Sequence, residues 1–213
     1  MSTARPRQGG TGVRAAKTAA TRARMLAAAR ELFVEHGYIA TTMQAIAKQA
    51  GVAVQTLYFT FATKRAILKE LLDVEIAGDE APIATLDRPW VAEAMAAPPA
   101  EQIRLLVAAS GPIHARVSPI LEVVRSAAKV DPEIAELWQI NIGQRHTVLA
   151  AFTGALAAKT RLRNGLDVLR ATDIALATLA PEVYHLLIEE RGWTPEAWEA
   201  WAADALIRQL LPD

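Results

Sequence analysis

Two short amphipathic segments joined at a glycine occupy residues 42–64, which read TMQAIAKQAGVAVQTLYFTFATK. In the first segment, Met43, Ile46 and Ala47 recur at the spacing of one buried helix face. Gly51 interrupts the pattern, and Leu57 and Phe61 can anchor the second segment. The pattern predicts helices over about 42–50 and 53–60, arranged as a helix-turn-helix.

The flanking sequence predicts two supporting helices. The first covers about 18–36 and ends at Gly37, with an apolar stripe of Met25, Leu26, Ala29, Leu32 and Phe33. The other supporting helix, the fourth along the chain, covers about 64–78 and is capped by Thr63. The N-cap of the second helix is Thr41 or Thr42, and the spacing of Thr41 and Gln44 would form a capping box.

The outward side of the 53–60 helix carries groups that can contact DNA. A helix that enters the major groove must be anchored on one side and present contacting groups on the other. Gln55 can bond an adenine, whereas Val54 and an exposed Phe59 can contact thymine methyl groups. The side chains suited to phosphate oxygens are those of Thr42, Tyr58, Thr60 and Lys64.

The charge distribution separates the chain into two parts. Residues 1–69 hold 11 Lys/Arg and two acids, a net charge of +9, and the remainder has a net charge of −9. This asymmetry favours a nucleic-acid-binding module joined to a body that does not bind nucleic acid. The alternative is an ordinary solvated surface with a basic tail. Residues 1–17 are predicted to be a disordered basic arm, which either neutralises phosphates or is only a tail.

Residues 37–64 resemble the TetR family of regulators. The residues that carry the resemblance are Gly37-Tyr38, Thr41-Thr42-Met43, Ala50-Gly51-Val52 and Thr56-Leu57-Tyr58-Phe59-Thr60-Phe61-Ala62-Thr63-Lys64. The resemblance implies a homodimer that reads a palindromic operator and a helical domain that binds a small molecule and releases the DNA. It places phosphate contacts at Thr42, Tyr58, Thr60 and Lys64. It places base contacts at Gln44, Val54, Gln55, Thr56 and Phe59.

Three positions depart from the family pattern. Ala53 replaces the usual capping Ser, which should cost the recognition helix about 1 kcal/mol. Gln55 stands where Gly or Pro is frequent, and Thr60 stands where His is frequent. These departures leave the fold prediction unchanged and make the operator sequence unpredictable.

The remaining sequence predicts further helices and no strands, so the fold class is all-α. A Pro-rich linker over 81–99 holds at most one short helix, around Trp90–Ala97. Helices then follow at about 100–117, 119–129, 132–159, 166–191 and 195–211, with Pro181 kinking or dividing the fourth of these. The predicted domains are a DNA-binding module over 18–63 and a ligand-binding and dimerisation domain over 64–213, with helix 64–78 linking them.

Polar residues inside apolar helix faces predict a cavity for a small apolar or aromatic effector. The candidate lining residues are Trp90, His114, Trp138, Asn141 and Phe152. The alternative is that the aromatic residues are plain core and that His114 is a satisfied histidine.

Segments 166–190 and 195–211 are predicted to form a homodimer through a four-helix bundle. The last helix carries a wide stripe of Trp198, Trp201, Ala202, Ala205 and Leu206. In the competing interpretation, this stripe closes the core of a single chain.

Other function classes have little sequence support. The chain has no Cys, no phosphate-binding glycine loop, no G-x-S-x-G or H-E-x-x-H motif, and scattered His residues. The sequence therefore predicts no enzyme, metal site or cofactor. A helical-bundle enzyme is the remote alternative, and a constitutive DNA-binding or adaptor protein is the nearer one. The absence of long apolar runs, signal peptide and Cys predicts a cytoplasmic protein that does not enter membranes.

Overall fold

The structure is a computed structural model that describes residues 10–78 and 83–212, with side chains from residue 14 onward. Within these ranges every regular element is helical, which confirms the all-α prediction. No helix in the described ranges is both long and apolar enough to cross a membrane. The chain divides into two compact units, the first ending at Leu71 and the second beginning at Leu72.

The first unit contains α1 (Gly10–Ala40), α2 (Met43–Gln49), α3 (Val54–Phe61) and the first turns of α4 (Lys64–Ala77). Gly37 interrupts α1 with φ 78° and ψ 166°, a conformation open essentially only to glycine. Gly51, with φ 66°, makes the turn between α2 and α3. Thr63 caps α4, since its Oγ1 accepts a hydrogen bond from Ala66 N at 3.0 Å. These four elements agree with the helix-turn-helix prediction.

The start of α1 and the cap of α2 differ from the prediction. Helix α1 already includes residues 10–17, because this stretch continues into alanines that favour helix. The rest of the predicted disordered arm, residues 1–9, lies outside the described residues. Thr42 caps α2 by accepting from Ala45 N at 3.1 Å. The predicted Thr41–Gln44 capping box is wrong, because the buried Thr41 hydroxyl donates to Leu32 O and Gly37 O instead.

Long aliphatic and aromatic side chains fill the interior of the first unit. The largest fully buried ones are Met25, Phe33, Ile46, Leu57, Ile67 and Leu68. They come from all four helices, so α4 contributes its first turns to this core. The unit therefore extends to Leu71, beyond the predicted module end at residue 63.

The second unit contains the rest of α4 and six further α-helices in the described residues. They are α5 (Pro89–Ala96), α6 (Pro99–Ala127), α7 (Pro132–Lys159), α8 (Val168–Thr178), α9 (Pro181–His185) and α10 (Pro195–Leu210). Short 3₁₀ turns cover Thr85–Asp87 and Arg163–Gly165, and a π-helical turn, Leu186–Glu190, continues α9.

Two prolines behave differently. The predicted break at Pro119 is wrong, because α6 runs continuously through Pro112 and Pro119. Residues on both sides of Pro119 are buried, including Val117 and Ile120, so tertiary packing outweighs the lost backbone hydrogen bond. Pro181 does divide its segment, since α8 ends at Thr178 and Pro181 occupies the first turn of α9.

The core of the second unit lies around α6, which packs against α5, α7, α9 and α10. Helix α7 also packs against α8, and α10 against α8. Trp198, Ala202 and Leu206 of the predicted dimer stripe are buried in this core. Trp201 remains exposed, so the stripe divides into a buried part and a surface part.

Candidate nucleic-acid interface and internal cavity

The outward face of α3 is polar and aromatic. Gln55 and Thr56 are exposed, and the Phe59 side chain is 92% exposed. Tyr58 is 45% exposed, whereas Val54 and Thr60 are half-buried. A phenylalanine this exposed on a short helix is costly in water unless it meets a partner. The structure thus brings all six predicted α3 contacts to the accessible part of one helix.

The beginnings of α2 and α3 are also accessible. Thr42 and Gln44 are exposed, and the Thr42 hydroxyl is engaged as the cap of α2. Ala53 occupies the N-cap of α3 in extended geometry, with φ −67° and ψ 143°. Its methyl group offers no hydrogen bond, so backbone N–H groups at the start of α3 remain available to an acceptor such as a phosphate oxygen.

Lys64 lies half-buried between the end of α1 and the start of α4. Its Nζ donates to Tyr38 O at 2.7 Å and to Thr41 O at 2.8 Å. The ammonium also lies 4.2 Å from the Tyr38 ring centroid, at cation–π distance. Lys64, a predicted phosphate contact, therefore also fixes the junction that leads into the Thr42 cap.

Arg22 of α1 contacts both α4 and the end of α3. Its guanidinium donates to both carboxylate oxygens of Glu70 and lies 4.5 Å from the Phe61 ring centroid. The contact packs one of the module's basic residues over the inner, buried end of α3. We therefore assign Arg22 to the architecture of the module and not to its outer face.

The second unit contains a cavity of about 820 Å³ that is partly open to solvent. Its wall is formed by the end of α4, residues 83–86, α5, α6, α7, α8 and the start of α9. Most lining side chains are apolar, among them Ile76, Trp90, Ile113, Val117, Leu121 and Leu149. The volume is in the range of small-molecule sites.

His114 and Asn141 are buried polar residues in this wall. The His114 ring packs against Tyr184 and Trp198, with centroids 5.5 and 5.4 Å away. His114 Nδ1 and Asn141 Oδ1 have no hydrogen-bond partner in the described part of the chain. Burial, helped by the positive charge of Arg145, lowers the pKa of His114 from 6.5 to about 3. The imidazole is therefore neutral at physiological pH.

Arg145 forms an ion pair beside the cavity. Its Nη1 lies 3.6 Å from Glu182 Oε2, and its guanidinium carbon lies 5.5 Å from the Trp138 ring centroid. Burial lowers the pKa of Arg145, and the Glu182 carboxylate partly offsets this shift. An arginine nonetheless stays protonated.

The structure brings three of the five predicted effector residues to the cavity: Trp90, His114 and Asn141. Trp138 and Phe152 are not among the lining residues. Trp138 packs beneath Arg145, and Phe152 is buried against Trp90 with a centroid distance of 5.9 Å. Both lie on the α7 stripe, but that stripe covers more of the core than the cavity wall.

Several lining residues were not anticipated from the sequence. They include Asp73, Ile76 and Ala77 of α4, residues 83–86, and Ile140 and Gln144 of α7. The spacing of Ile140, Asn141 and Gln144 could have indicated a shared face, whereas nothing local points from α4 to α6 and α7. Among the described residues, no group of three or more His, Cys, Asp and Glu side chains could hold a metal ion.

Residues 25–71, which include α2, α3 and the first turns of α4, match the family model described as bacterial regulatory proteins, tetR family. Over this N-terminal stretch the chain is similar to the TetR family. The description of that family is one of regulatory proteins.

The chain is also similar to the HTH-type transcriptional regulator UidR of Escherichia coli K12. The two are 40% identical over 52 residues, which is 24% of this chain. The match spans about a quarter (26%) of the length of UidR.

Solved structures share the fold over most of this chain. NalD, the secondary repressor of the MexAB-OprM efflux pump in Pseudomonas aeruginosa, gives a TM-score of 0.70 at 20% identity, covering 92% of this chain and 98% of NalD. A Saccharomonospora viridis regulator in complex with choline gives 0.70 at 20% identity, covering 92% and 100%. FadR of Bacillus subtilis in complex with stearoyl-CoA gives 0.67 at 21% identity, covering 87% and 97%.

We expect K64M to lower the free energy of unfolding of the first unit by about 1–2 kcal/mol, because it leaves the Tyr38 and Thr41 carbonyls without their charged donor. Urea unfolding followed by circular dichroism measures the change. The exposed Lys48 supplies the control K48M, which should be close to neutral. Equal stability of K64M and K48M would contradict a positioning role for Lys64.

His114 should make the second unit sensitive to acid. Because its folded pKa of about 3 lies below the unfolded value of 6.5, the unfolded chain takes up the proton first. Stability is then fully present above pH 6.5 and declines by about 1 kcal/mol per pH unit between pH 6 and 4. Unfolding at pH 7, 6 and 5 should show a shallower decline in H114F than in the wild type or the control H146Q. Parallel pH profiles would rule out this contribution.

Proposed function

We propose that this chain is a transcriptional repressor of the TetR family, which binds a palindromic operator as a homodimer and is released by a small molecule. The observation that carries the proposal is the outward face of α3, with Gln55, Thr56 and Phe59 exposed on a helix anchored by Leu57 and Phe61. The family match over 25–71 includes this helix.

Charge and geometry support DNA as the partner. The excess of positive charge in residues 1–69 suits a polyanion. Thr42, Tyr58, Thr60 and Lys64 are the proposed phosphate contacts. Gln44, Val54, Gln55, Thr56 and Phe59 are the proposed base contacts, with the glutamines suited to adenine and the apolar groups to thymine methyls.

An exposed apolar surface on α8, the π-helical turn and α10 supports the dimer. Leu169 is 60% exposed, and Leu186 is also exposed. Trp193 and Trp201 meet edge to face with centroids 6.2 Å apart and are both partly exposed. Apolar residues in this number at the surface are typical of an interface. The proposed contact therefore uses the outer side of the predicted segments 166–190 and 195–211.

The cavity of about 820 Å³ is the proposed effector site. Its wall includes Ile76 and Ala77 of α4, and Arg116 Nε of α6 donates to Glu75 O of α4 at 3.0 Å. Since α4 is one helix from Lys64 to Ala77, an effector that moves its end can also move its beginning. Such a tilt would take two recognition helices out of the groove spacing of about 34–36 Å.

The alternative is a constitutive DNA-binding or adaptor protein without an effector. The cavity and its unpartnered polar groups favour the effector-responsive function, because a purely structural core would be packed and its polar groups hydrogen-bonded. Loss of DNA binding on addition of a cavity ligand distinguishes the two.

Selection of bound duplexes from a random pool should yield a palindromic sequence. F59A should weaken binding to that sequence by at least about tenfold, since it removes an apolar contact to the DNA, while leaving the free energy of unfolding unchanged because the ring is exposed. V34A removes exposed apolar surface from α1 and serves as the control. The absence of any preferred sequence at moderate salt would refute the DNA-binding proposal.

L169D should convert the dimer to a monomer, because it places a carboxylate in an apolar interface at a cost of several kcal/mol. Sedimentation at micromolar concentration measures the mass. V130D alters another exposed apolar residue, in the turn that follows α6, and should remain dimeric. A monomeric wild-type protein would contradict the dimer, and a dimeric L169D would contradict the proposed surface.

A further inference from the structure

We propose that the cavity of the second unit takes an uncharged effector with an apolar body and a head group that both donates and accepts hydrogen bonds, held by Asn141 and His114. This inference rests on the proposed function, in which the cavity is the effector site. It goes further by naming the chemical class of the effector and the two residues that recognise its head group.

We infer an apolar body for the effector because most side chains that line the cavity are apolar. Aliphatic side chains of four helices, α4, α6, α7 and α8, face the cavity, and Trp90 of α5 adds an aromatic surface. Examples are Ile76, Ile113, Leu149 and Leu176. A ligand that fills such a wall gains affinity chiefly from apolar area removed from water.

The binding site of the head group can be inferred from the lining polar side chains that already have hydrogen-bond partners and those that do not. Ser110 Oγ donates to Leu106 O at 2.8 Å, and Thr147 Oγ1 donates to Gly143 O at 2.9 Å, so both hydroxyls are used within their own helices. Asn141 Oδ1 and His114 Nδ1, in contrast, are buried without a partner among residues 14–78 and 83–212. Polar groups left unpaired in a protein interior are destabilising. Arg145 Nε of the wall also lacks a hydrogen-bond partner among these residues, but the charge of Arg145 is paired with Glu182. Among the uncharged lining side chains, Asn141 and His114 are therefore the groups that a ligand would satisfy.

The requirement for zero charge follows from the electrostatics of the wall. Arg145 is balanced by Glu182 at 3.6 Å, and the low pKa of His114 keeps its ring neutral. Asp73, the other charged residue of the described wall, is solvent-exposed. A charged head group at the buried Asn141 and His114 would then meet no free counter-ion, because Arg145 is already paired, and its desolvation would cost more free energy than its contacts return.

The chemistry of the two side chains selects the head group further. A neutral imidazole offers one donor and one acceptor, and a carboxamide side chain offers both. Asn141 Oδ1 needs a donor, which a carboxylate cannot provide, and an ammonium cannot accept a bond from the Asn141 amide or the imidazole N–H. A primary carboxamide or an alcohol meets both demands.

The test is calorimetric titration of the full chain with four ligands on one skeleton: biphenyl, biphenyl-4-carboxamide, biphenyl-4-carboxylate and biphenyl-4-methylammonium. We expect the carboxamide to bind at least about tenfold more tightly than each of the others. An ionic analogue that binds as tightly as the carboxamide, or a carboxamide without binding up to millimolar concentration, would overturn the proposal.

Variants locate the recognition. N141L should weaken carboxamide binding about tenfold and leave biphenyl binding unchanged. The matched control T147V removes a lining hydroxyl whose hydrogen bond is internal, so it should change neither affinity. Because N141L removes an unpartnered buried group, its Tm should equal or exceed that of the wild type. H114F provides the same test through the second residue if N141L is less stable. Equal effects of N141L and T147V would overturn the assignment.

Operator binding without any ligand separates this inference from the proposed function. Normal operator binding with equal affinity for ionic and neutral analogues rejects the ligand class alone. Carboxamide binding by a protein that shows no DNA preference rejects the regulator. Release of the operator by the carboxamide, and weaker release in N141L, is the outcome that supports both.

Discussion

The burial of Leu57 and Phe61 determines what α3 presents to solvent. Helix α3 has eight residues, and isolated helices below about 12–15 residues are marginal in water, so tertiary packing must hold it. Leu57 is fully buried, and Phe61 lies beneath the guanidinium of Arg22. With these two side chains fixed inward, helical geometry turns Gln55, Thr56 and Phe59 to the opposite side. The exposed phenylalanine is thus a consequence of the core and not a defect of packing.

The second unit differs from the first in that polar side chains, those of Asn141 and His114, lie in its interior. Replacement of Asn141 and His114 by apolar residues of similar size should make the unit more stable, because buried polar groups without partners are destabilising. The ion pair of Arg145 and Glu182 is likewise a weak source of stability, since the desolvation of two charges offsets much of their attraction. Stability alone poorly explains a core that contains such groups around a cavity, whereas the proposed ligand recognition gives these groups a role.

Features set by local chemistry could be predicted from the sequence, whereas features set by packing could not. The cap Thr63, the glycine turn at Gly51 and the division at Pro181 depend on neighbouring residues, and the structure has them as expected. The continuity of α6 through Pro119 depends on what packs around it, and the sequence prediction failed there. His114 and Asn141 were found from the stripes of α6 and α7. The contribution of α4 was missed because Ile76 is distant in sequence from both.

Helix α4 is the element through which we expect operator binding and effector binding to be coupled, and the free energy of that coupling can be bounded. Its first residue, Lys64, holds the end of α1, and its last turn lines the cavity, where Arg116 fixes the Glu75 carbonyl. By linkage, an effector that weakens operator binding by some factor must itself bind the operator-bound protein more weakly by the same factor. A coupling of ten- to hundredfold corresponds to about 1.4–2.8 kcal/mol, which is the net worth of one or two buried hydrogen bonds. Two head-group contacts, such as those proposed for Asn141 and His114, are therefore enough to drive release if they form fully in only one position of α4.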